Sequence, residues 1–77
     1  MYIFRVKLGT FTEYATPAIL FDQKELITVP INEEETSYLA GLHYNLEDAI
    51  SYQKSMKKLG FEKAFIVAYK NGEEIEF

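Results

Sequence analysis

The last third of the chain, residues 45–72, constrains the fold most, because several independent local signals there agree on one helix followed by one strand. Asn45 is a typical N-cap residue, acidic side chains follow it in the first turn, and two lysines fall in the last turn. Gly60 comes next, where a left-handed backbone ends a helix and glycine adopts it without strain. The apolar run at residues 64–69 and the Asn-Gly pair at residues 71–72 then predict a strand that ends in a turn.

The first third of the chain predicts a strand and a short helix. Residues 2–8 alternate between apolar and mostly cationic side chains, which is typical of a half-buried strand, and the following glycine is expected to end it. The Thr-Pro pair at residues 16–17 is a typical start for a short helix running through about Gln23. The apolar run at residues 18–21 also fits a strand, so both interpretations stay open.

The middle of the chain predicts two strands joined by an acidic turn. Residues 26–29 are rich in β-branched side chains, and Pro30 then limits further pairing because it has no N–H group. Residues 32–35, an asparagine followed by three glutamates, are expected to form a solvated hairpin tip. Residues 36–42 alternate again and predict the third strand.

The predicted order of elements is β-α-β-β-α-β, with a short additional strand at residues 74–77 as an option. This order predicts the fold class α+β, in a ferredoxin-like or RNP-like arrangement: a four-stranded antiparallel sheet with two helices on one face. Residues 1–77 contain no linker rich in proline and glycine, so a single domain is expected. The domain is also compatible with a module of a longer envelope protein.

Charge and composition argue against several classes of function. The formal net charge is −4, and nucleic-acid affinity depends mainly on lysine and arginine that neutralise phosphates, so no nucleic-acid partner is expected. There is no cysteine, which removes disulfides and thiolate chemistry. No apolar run approaches the roughly 20 residues that span a bilayer, so no direct membrane insertion by this segment is expected.

Catalytic constellations are also missing from the sequence. His43 is the only histidine, and with Glu47 it makes a poor zinc site that has no nucleophile beside it. A histidine that fills an aromatic position at a strand end is the favoured interpretation. The chain is therefore expected not to be an enzyme and to need no cofactor or metal.

Three segments, in order, resemble those of SPOR domains. The segment FRVKLGTF at residues 4–11 resembles the family's opening strand, although Lys7 replaces the usual glutamine. The segment YLAGLHYNLEDA at residues 38–49 is similar to the second Gly-x-Phe strand and the Glu-Glu-Ala helix, with His43 in place of phenylalanine. The segment LGFEKAFIVAYKNG at residues 59–72 looks like the closing segment of the domain that is common in Bacteroidetes members of the family.

The resemblance covers nearly the whole chain and implies a bacterial module that binds peptidoglycan glycan strands, particularly denuded strands at cell-division sites. It also implies location in the periplasm or cell envelope, although no secretion signal is predicted within the chain. The glycan-binding residues expected from the resemblance and the strand alternation are Arg5, Lys7, Gly9, Thr10, Phe11, Leu39, His43 and Tyr69. Two alternatives stay open: a ferredoxin-like small-molecule regulatory domain and a protein-interaction module. The oligomeric state is not predicted.

Overall fold

A computed structural model describes residues 2–76, with five strands, one α-helix and two short 3-10 turns in that range. The elements are, in chain order, β1 (Tyr2–Thr12), the 3-10 turns Glu13–Ala15 and Ala18–Asp22, β2 (Ile27–Pro30), β3 (Glu35–His43), α1 (Leu46–Leu59), β4 (Phe65–Lys70) and β5 (Glu73–Glu76). The strands form one sheet in the order β2-β3-β1-β4-β5, and every neighbouring pair is antiparallel. The sheet is curled into a half-barrel, and α1 contacts its three central strands.

The predicted fold class is wrong, because the structure has five strands and one helix instead of four strands and two helices on one face. Two features prevent the predicted first helix from forming. Strand β1 continues to Thr12, so fewer residues are left for a helix before β2. Pro17 then forces Thr16 into an extended conformation, with ψ of 120°, so the 3-10 turns on either side cannot join. Thr16 does not cap a helix; its hydroxyl donates to the Thr12 carbonyl at 2.6 Å.

The central strand β1 and its neighbour β3 are not in simple register. The pairing shifts between Phe4 and Val6 and again between Lys7 and Gly9, so one strand bulges against the other at each point. The predicted end of the first strand at Gly9 is therefore wrong. The strand passes through this glycine, and the shift exchanges the two faces for every residue that follows it.

Helix α1 has the ends that the sequence predicts. The Asn45 side chain accepts a hydrogen bond from the Asp48 backbone N–H at 2.9 Å, and its amide donates to the Asp48 carboxylate at 2.9 Å. Gly60 has a φ of 117° and closes the helix in the left-handed region. The Gln53 amide donates to the Ala64 carbonyl at 2.9 Å and attaches the next loop to α1.

One core lies between α1 and the sheet, and it also includes one residue of the second 3-10 turn. Its buried members are Val6, Leu8, Leu20, Ala40, Ala49, Met56, Phe61, Ala64 and Ile66. Leu59, the last residue of α1, lies at the edge of this core and is 46 % exposed.

Two hairpin turns behave as predicted. Asn71 and Gly72 both have positive φ, 53° and 82°, which matches the two-residue turn that joins twisted antiparallel strands. At the acidic tip, the Asn32 side chain accepts from the backbone N–H groups of Glu34 and Glu35, at 2.8 and 2.9 Å. The predicted additional strand is present as β5; Phe77 lies outside the described residues.

Candidate functional site

The sheet face opposite α1 is named here the open face, and most predicted site residues lie on it. The strand register places Lys7 beside Leu39 on one side and Phe65 on the other. Directly paired residues of neighbouring strands share a face, and alternate residues of one strand share it as well. The open face therefore includes Arg5, Lys7, Thr10, Ser37, Leu39, Phe65, Val67 and Tyr69.

The floor of the open face is apolar and closely packed. Leu39 is 1 % exposed and Val67 is 3 % exposed, although neither belongs to the core beneath α1. They flank the cationic residues of β1, whose long side chains cover apolar surface with their methylene groups. The open face is thus a hydrophobic surface with cations at its centre.

Lys7 and Phe65 form the most accessible pair on this face. The Lys7 Nζ lies 5.6 Å from the centroid of the Phe65 ring, a distance that allows a cation–π interaction. Phe65 is 44 % exposed, so part of its ring is available to a ligand. Sequence reasoning missed Phe65, because both faces of its strand carry apolar side chains and only the pairing with Lys7 fixes its direction.

Arg5 is held by backbone groups. Its Nη1 donates to the carbonyl of Gly41 at 3.1 Å and to that of Glu25 at 3.4 Å. These bonds connect β1 to the bulge in β3 and to the residues that lead into β2. Arg5 therefore has a structural role in addition to any ligand contact.

The hydroxyl-bearing residues of the open face are engaged with neighbours. The hydroxyl groups of Thr10 and Ser37 share a hydrogen bond at 2.8 Å, and Ser37 is buried. The Tyr69 hydroxyl donates to Glu74 Oε1 at 3.1 Å. Burial raises the pKa of Tyr69, and the hydrogen bond and negative charge of Glu74 raise it further, while the charge of Arg5 lowers it.

Three of the predicted site residues lie on the other side of the sheet. Gly9 pairs with Tyr38. The centroid of the Phe11 ring lies 6.1 Å from the centroid of the Tyr38 ring, and Phe11 packs against the core. The centroid of the His43 ring lies 5.2 Å from the centroid of the Tyr52 ring on α1. The structure thus brings together Arg5, Lys7, Thr10, Leu39 and Tyr69 and separates Gly9, Phe11 and His43 from them.

His43 lines a second feature, named here the His43–Tyr52 cleft. The cleft has a volume of 530 Å³ and is lined by Asp22, Gln23, Lys24, Glu25, Gly41, Leu42, His43 and Tyr52. Pockets of about 300–1,000 Å³ are the usual size for small-molecule sites. A cleft of this size can hold a small ligand.

Two polar atoms beside this cleft have no hydrogen-bond partner among the described residues. They are the His43 Nε2 and the Tyr52 hydroxyl, and both are shielded from solvent. Burial also raises the pKa of Tyr52. A buried polar group without a partner costs about 1–3 kcal/mol, so this pair is a notable feature of a small domain.

The bulge glycine of β3 makes the position of His43 possible. Gly41 has a φ of 80°, and a Cβ built there would lie 2.5 Å from the His43 Nε2. Any larger residue would move the imidazole away from Tyr52. The local geometry of the cleft therefore depends on glycine at this point.

Among the described side chains of residues 2–76, which do not include those of Glu13 and Glu76, there is no cluster of three or more His, Asp or Glu suited to hold a metal ion. Within the same residues, α1 is too short and too polar to cross a bilayer.

Comparison with protein-family models, curated proteins and solved structures gave no match to this chain. The resemblance to SPOR domains therefore stays a prediction from the three sequence segments. We therefore infer the function of the chain from the geometry of the open face and of the His43–Tyr52 cleft.

Proposed function

We propose that this chain is a non-catalytic module that binds peptidoglycan glycan strands on its open face, in the bacterial cell envelope. The observation that carries the proposal is the shared position of Arg5, Lys7, Thr10, Leu39 and Tyr69 on one sheet face opposite α1. The SPOR-like segments supply the ligand class, and this arrangement supports it.

The chemistry of the open face suits a sugar chain. A saccharide ring has C–H groups that pack on flat aromatic surface, and the exposed part of the Phe65 ring offers such a surface. The Lys7 ammonium beside it donates hydrogen bonds to hydroxyl and acetamido oxygens. The buried Leu39 and Val67 form an apolar floor on either side of Arg5 and Lys7.

Arg5 acts mainly as a positioning residue in this proposal. Both of its backbone hydrogen bonds use Nη1, whereas a guanidinium carries five N–H donors in all. The fixed guanidinium thus has donors to spare for a ligand that lies along β1. Because it is already ordered, binding loses little side-chain entropy at this position.

The charge of the chain favours a ligand with few charges. The net charge is −4, and glycan stripped of its stem peptides has lost most of its carboxylates, so long-range repulsion is small. Hydrogen bonds and ring packing should then dominate, and the affinity should depend weakly on salt.

The decisive experiment is co-sedimentation with purified sacculi, before and after an amidase has removed the stem peptides. The test variant is Lys7→Glu with Thr10→Glu, which places two carboxylates on the open face. The matched control is Lys54→Glu with Ser55→Glu, because this pair makes the same change in charge on exposed positions of α1. We expect wild type and control to bind amidase-treated sacculi and the test variant to lose most of the bound fraction.

Other outcomes contradict the proposal in different ways. Absence of wild-type binding to both preparations refutes glycan binding and favours the regulatory or protein-interaction alternatives. Equal binding by wild type and test variant removes the site from the open face. Shortening of the glycan by the purified chain, measured by chromatography, contradicts the non-catalytic assignment.

A further inference from the structure

In the described part of the chain, the His43–Tyr52 cleft contains buried polar atoms without a partner and a strained backbone residue, and it lies apart from the proposed glycan-binding surface. Both solvent-shielded polar atoms without a partner among the described residues are here. Glu25, on the cleft wall, has a φ of 53°, which is uncommon for a residue other than glycine, asparagine or aspartate. Backbone strain and unsatisfied polar groups tend to gather where a protein binds a ligand. We propose that this cleft is a second binding site, for a small neutral molecule rich in hydroxyl groups.

The hydrogen-bonding capacity of the two atoms selects the ligand class. The Tyr52 hydroxyl both donates and accepts, and the Nε2 of a neutral His43 does one or the other according to its tautomer. A ligand hydroxyl also donates and accepts, so it matches the hydrogen-bonding capacity of either atom. An ammonium group only donates and a carboxylate only accepts, so each leaves part of this capacity unused.

The charges on the cleft wall agree with a neutral ligand. Asp22 and Glu25 disfavour a carboxylate or phosphate, and Lys24 offsets part of their attraction for a cation. No set of metal-binding side chains exists in the part of the chain that the structure describes. A sugar or sugar alcohol of about one ring in size meets these conditions.

Access to the two atoms requires a small local movement. Both are shielded from solvent, while the rings that carry them form part of the cleft wall. The torsion about the Cβ–Cγ bond of His43 has a broad preference, so we expect a rotation of this ring to be the movement that exposes Nε2. The wall segment at residues 22–25 is attached to the sheet mainly by the Lys24 and Glu25 carbonyls, so its side chains can adjust.

The test is a titration of the full chain by two-dimensional ¹H–¹⁵N NMR with four probes of similar size. The probes are glucose, sorbitol, glucosamine and glucuronate, which are a neutral ring, a neutral open chain, a cation and an anion. Each is titrated to about 100 mM, because a few hydrogen bonds give a millimolar Kd at best. The signals that report on the cleft are the backbone amides of Lys24, Gly41 and Leu42.

We expect saturable shifts with a neutral probe and weaker or no binding of glucuronate. Tyr52→Phe removes one of the two atoms and should raise the Kd about tenfold. The matched control is Tyr44→Phe, because this tyrosine is 60 % exposed and lies outside the cleft lining. His43→Phe keeps an aromatic ring in place and provides a second variant that tests the other atom.

Three results would overturn the proposal: no saturable shift with any probe, tighter binding of a charged probe than of both neutral ones, or an unchanged Kd in both cleft variants. A lower melting temperature for Tyr52→Phe than for Tyr44→Phe would also count against it, because the hydroxyl would then have a partner within the protein. The outcome is independent of the open face, since Tyr52→Phe should leave co-sedimentation with sacculi unchanged.

Discussion

The two segments that connect strands across the sheet, residues 13–26 and residues 44–64, are stabilised in different ways. The second contains α1, and its ends are closed by bonds between near neighbours, at Asn45 and at Gly60. The first is named here the N-terminal crossover, and its fixed points are contacts with distant residues. Leu20 enters the core, the Lys24 carbonyl accepts from Gly41 N–H at 3.0 Å, and the Glu25 carbonyl accepts from Arg5.

This difference separates local from tertiary stabilisation within one small domain. A capped helix retains part of its preference for helix when its packing is weakened. A pair of 3-10 turns has little preference of its own, because its hydrogen bonds are few and poorly aligned. The N-terminal crossover should therefore lose its structure when its distant contacts are removed, whereas α1 should not.

The largest expected effect is that of Leu20→Ala. Leu20 is the one fully buried core residue among the described side chains of the N-terminal crossover, with Leu26 only partly buried against the core. Its truncation should lower the free energy of unfolding by about 3–4 kcal/mol. Ile19→Ala is the control, because Ile19 is 39 % exposed, and it should cost less than about 1 kcal/mol. Denaturant unfolding measures both. Similar losses of unfolding free energy for the two variants would mean that the N-terminal crossover does not depend on its buried contact at Leu20.

An intermediate effect is expected from alanine at two glycines with positive φ. Gly60→Ala should cost about 1 kcal/mol, because a left-handed alanine is strained but a Cβ at this position has no neighbour within 4 Å. Gly41→Ala should cost about 2–3 kcal/mol, because the same strain is joined by a clash with the His43 Nε2. Thermal unfolding of the two variants gives the difference. Equal melting temperatures would mean that the bulge in β3 relaxes freely.

The smallest effect is expected from Tyr69→Phe, which removes a hydrogen bond between the neighbouring strands β4 and β5. The pKa of Tyr69 is raised from its ordinary value of 10.0, so the folded state keeps this proton where the unfolded state releases it. The stabilisation is complete below about pH 10 and is lost as the pH rises above that value. Tyr69→Phe should make the alkaline loss of stability shallower, by less than about 1 kcal/mol.

The control for this measurement is Tyr14→Phe, since Tyr14 is 97 % exposed and should leave the alkaline profile unchanged. Urea unfolding between about pH 8 and pH 11, a range that brackets the ordinary tyrosine pKa, measures the slopes. A wild-type slope that is unchanged in Tyr69→Phe would show that Tyr52 or another group controls it.

The elements that could be predicted from the sequence are those whose determinants lie within a few residues. The cap at Asn45, the left-handed Gly60 and the Asn71–Gly72 turn each depend on short-range geometry, and each is confirmed. The N-terminal crossover could not be predicted in this way. Its conformation depends on how far β1 extends past Gly9 and on which distant groups accept its hydrogen bonds.

The candidate site shows the same limit at the level of single residues. Strict alternation along β1 predicts Arg5 and Lys7 on one face, and alternation continued without a break past Gly9 would place Phe11 there as well. The register shift between Lys7 and Gly9 reverses the alternation, so Thr10 lies on the open face and Phe11 turns toward the core. The other shift, between Phe4 and Val6, places His43 opposite Phe4 on the side of α1. A bulge is a property of two paired strands, and one strand's sequence shows only the glycine that permits it.

The central place of β1 in the sheet also determines the order of events during synthesis. Tyr2 pairs with Lys70, and Phe11 pairs with Thr36, so β1 waits for partners that are synthesised after it. Closing such large loops lowers the chain entropy before the stabilising contacts form. Folding is therefore expected to be slower than in domains whose contacts are local. Until β4 has left the ribosome, the apolar edge of β1 lacks one of its two neighbours, and in that interval it can pair with another chain. We therefore expect the pairing of β1 with β4 to limit the rate of folding. Stopped-flow refolding would detect this as a slowing when the β1–β4 pairing is weakened.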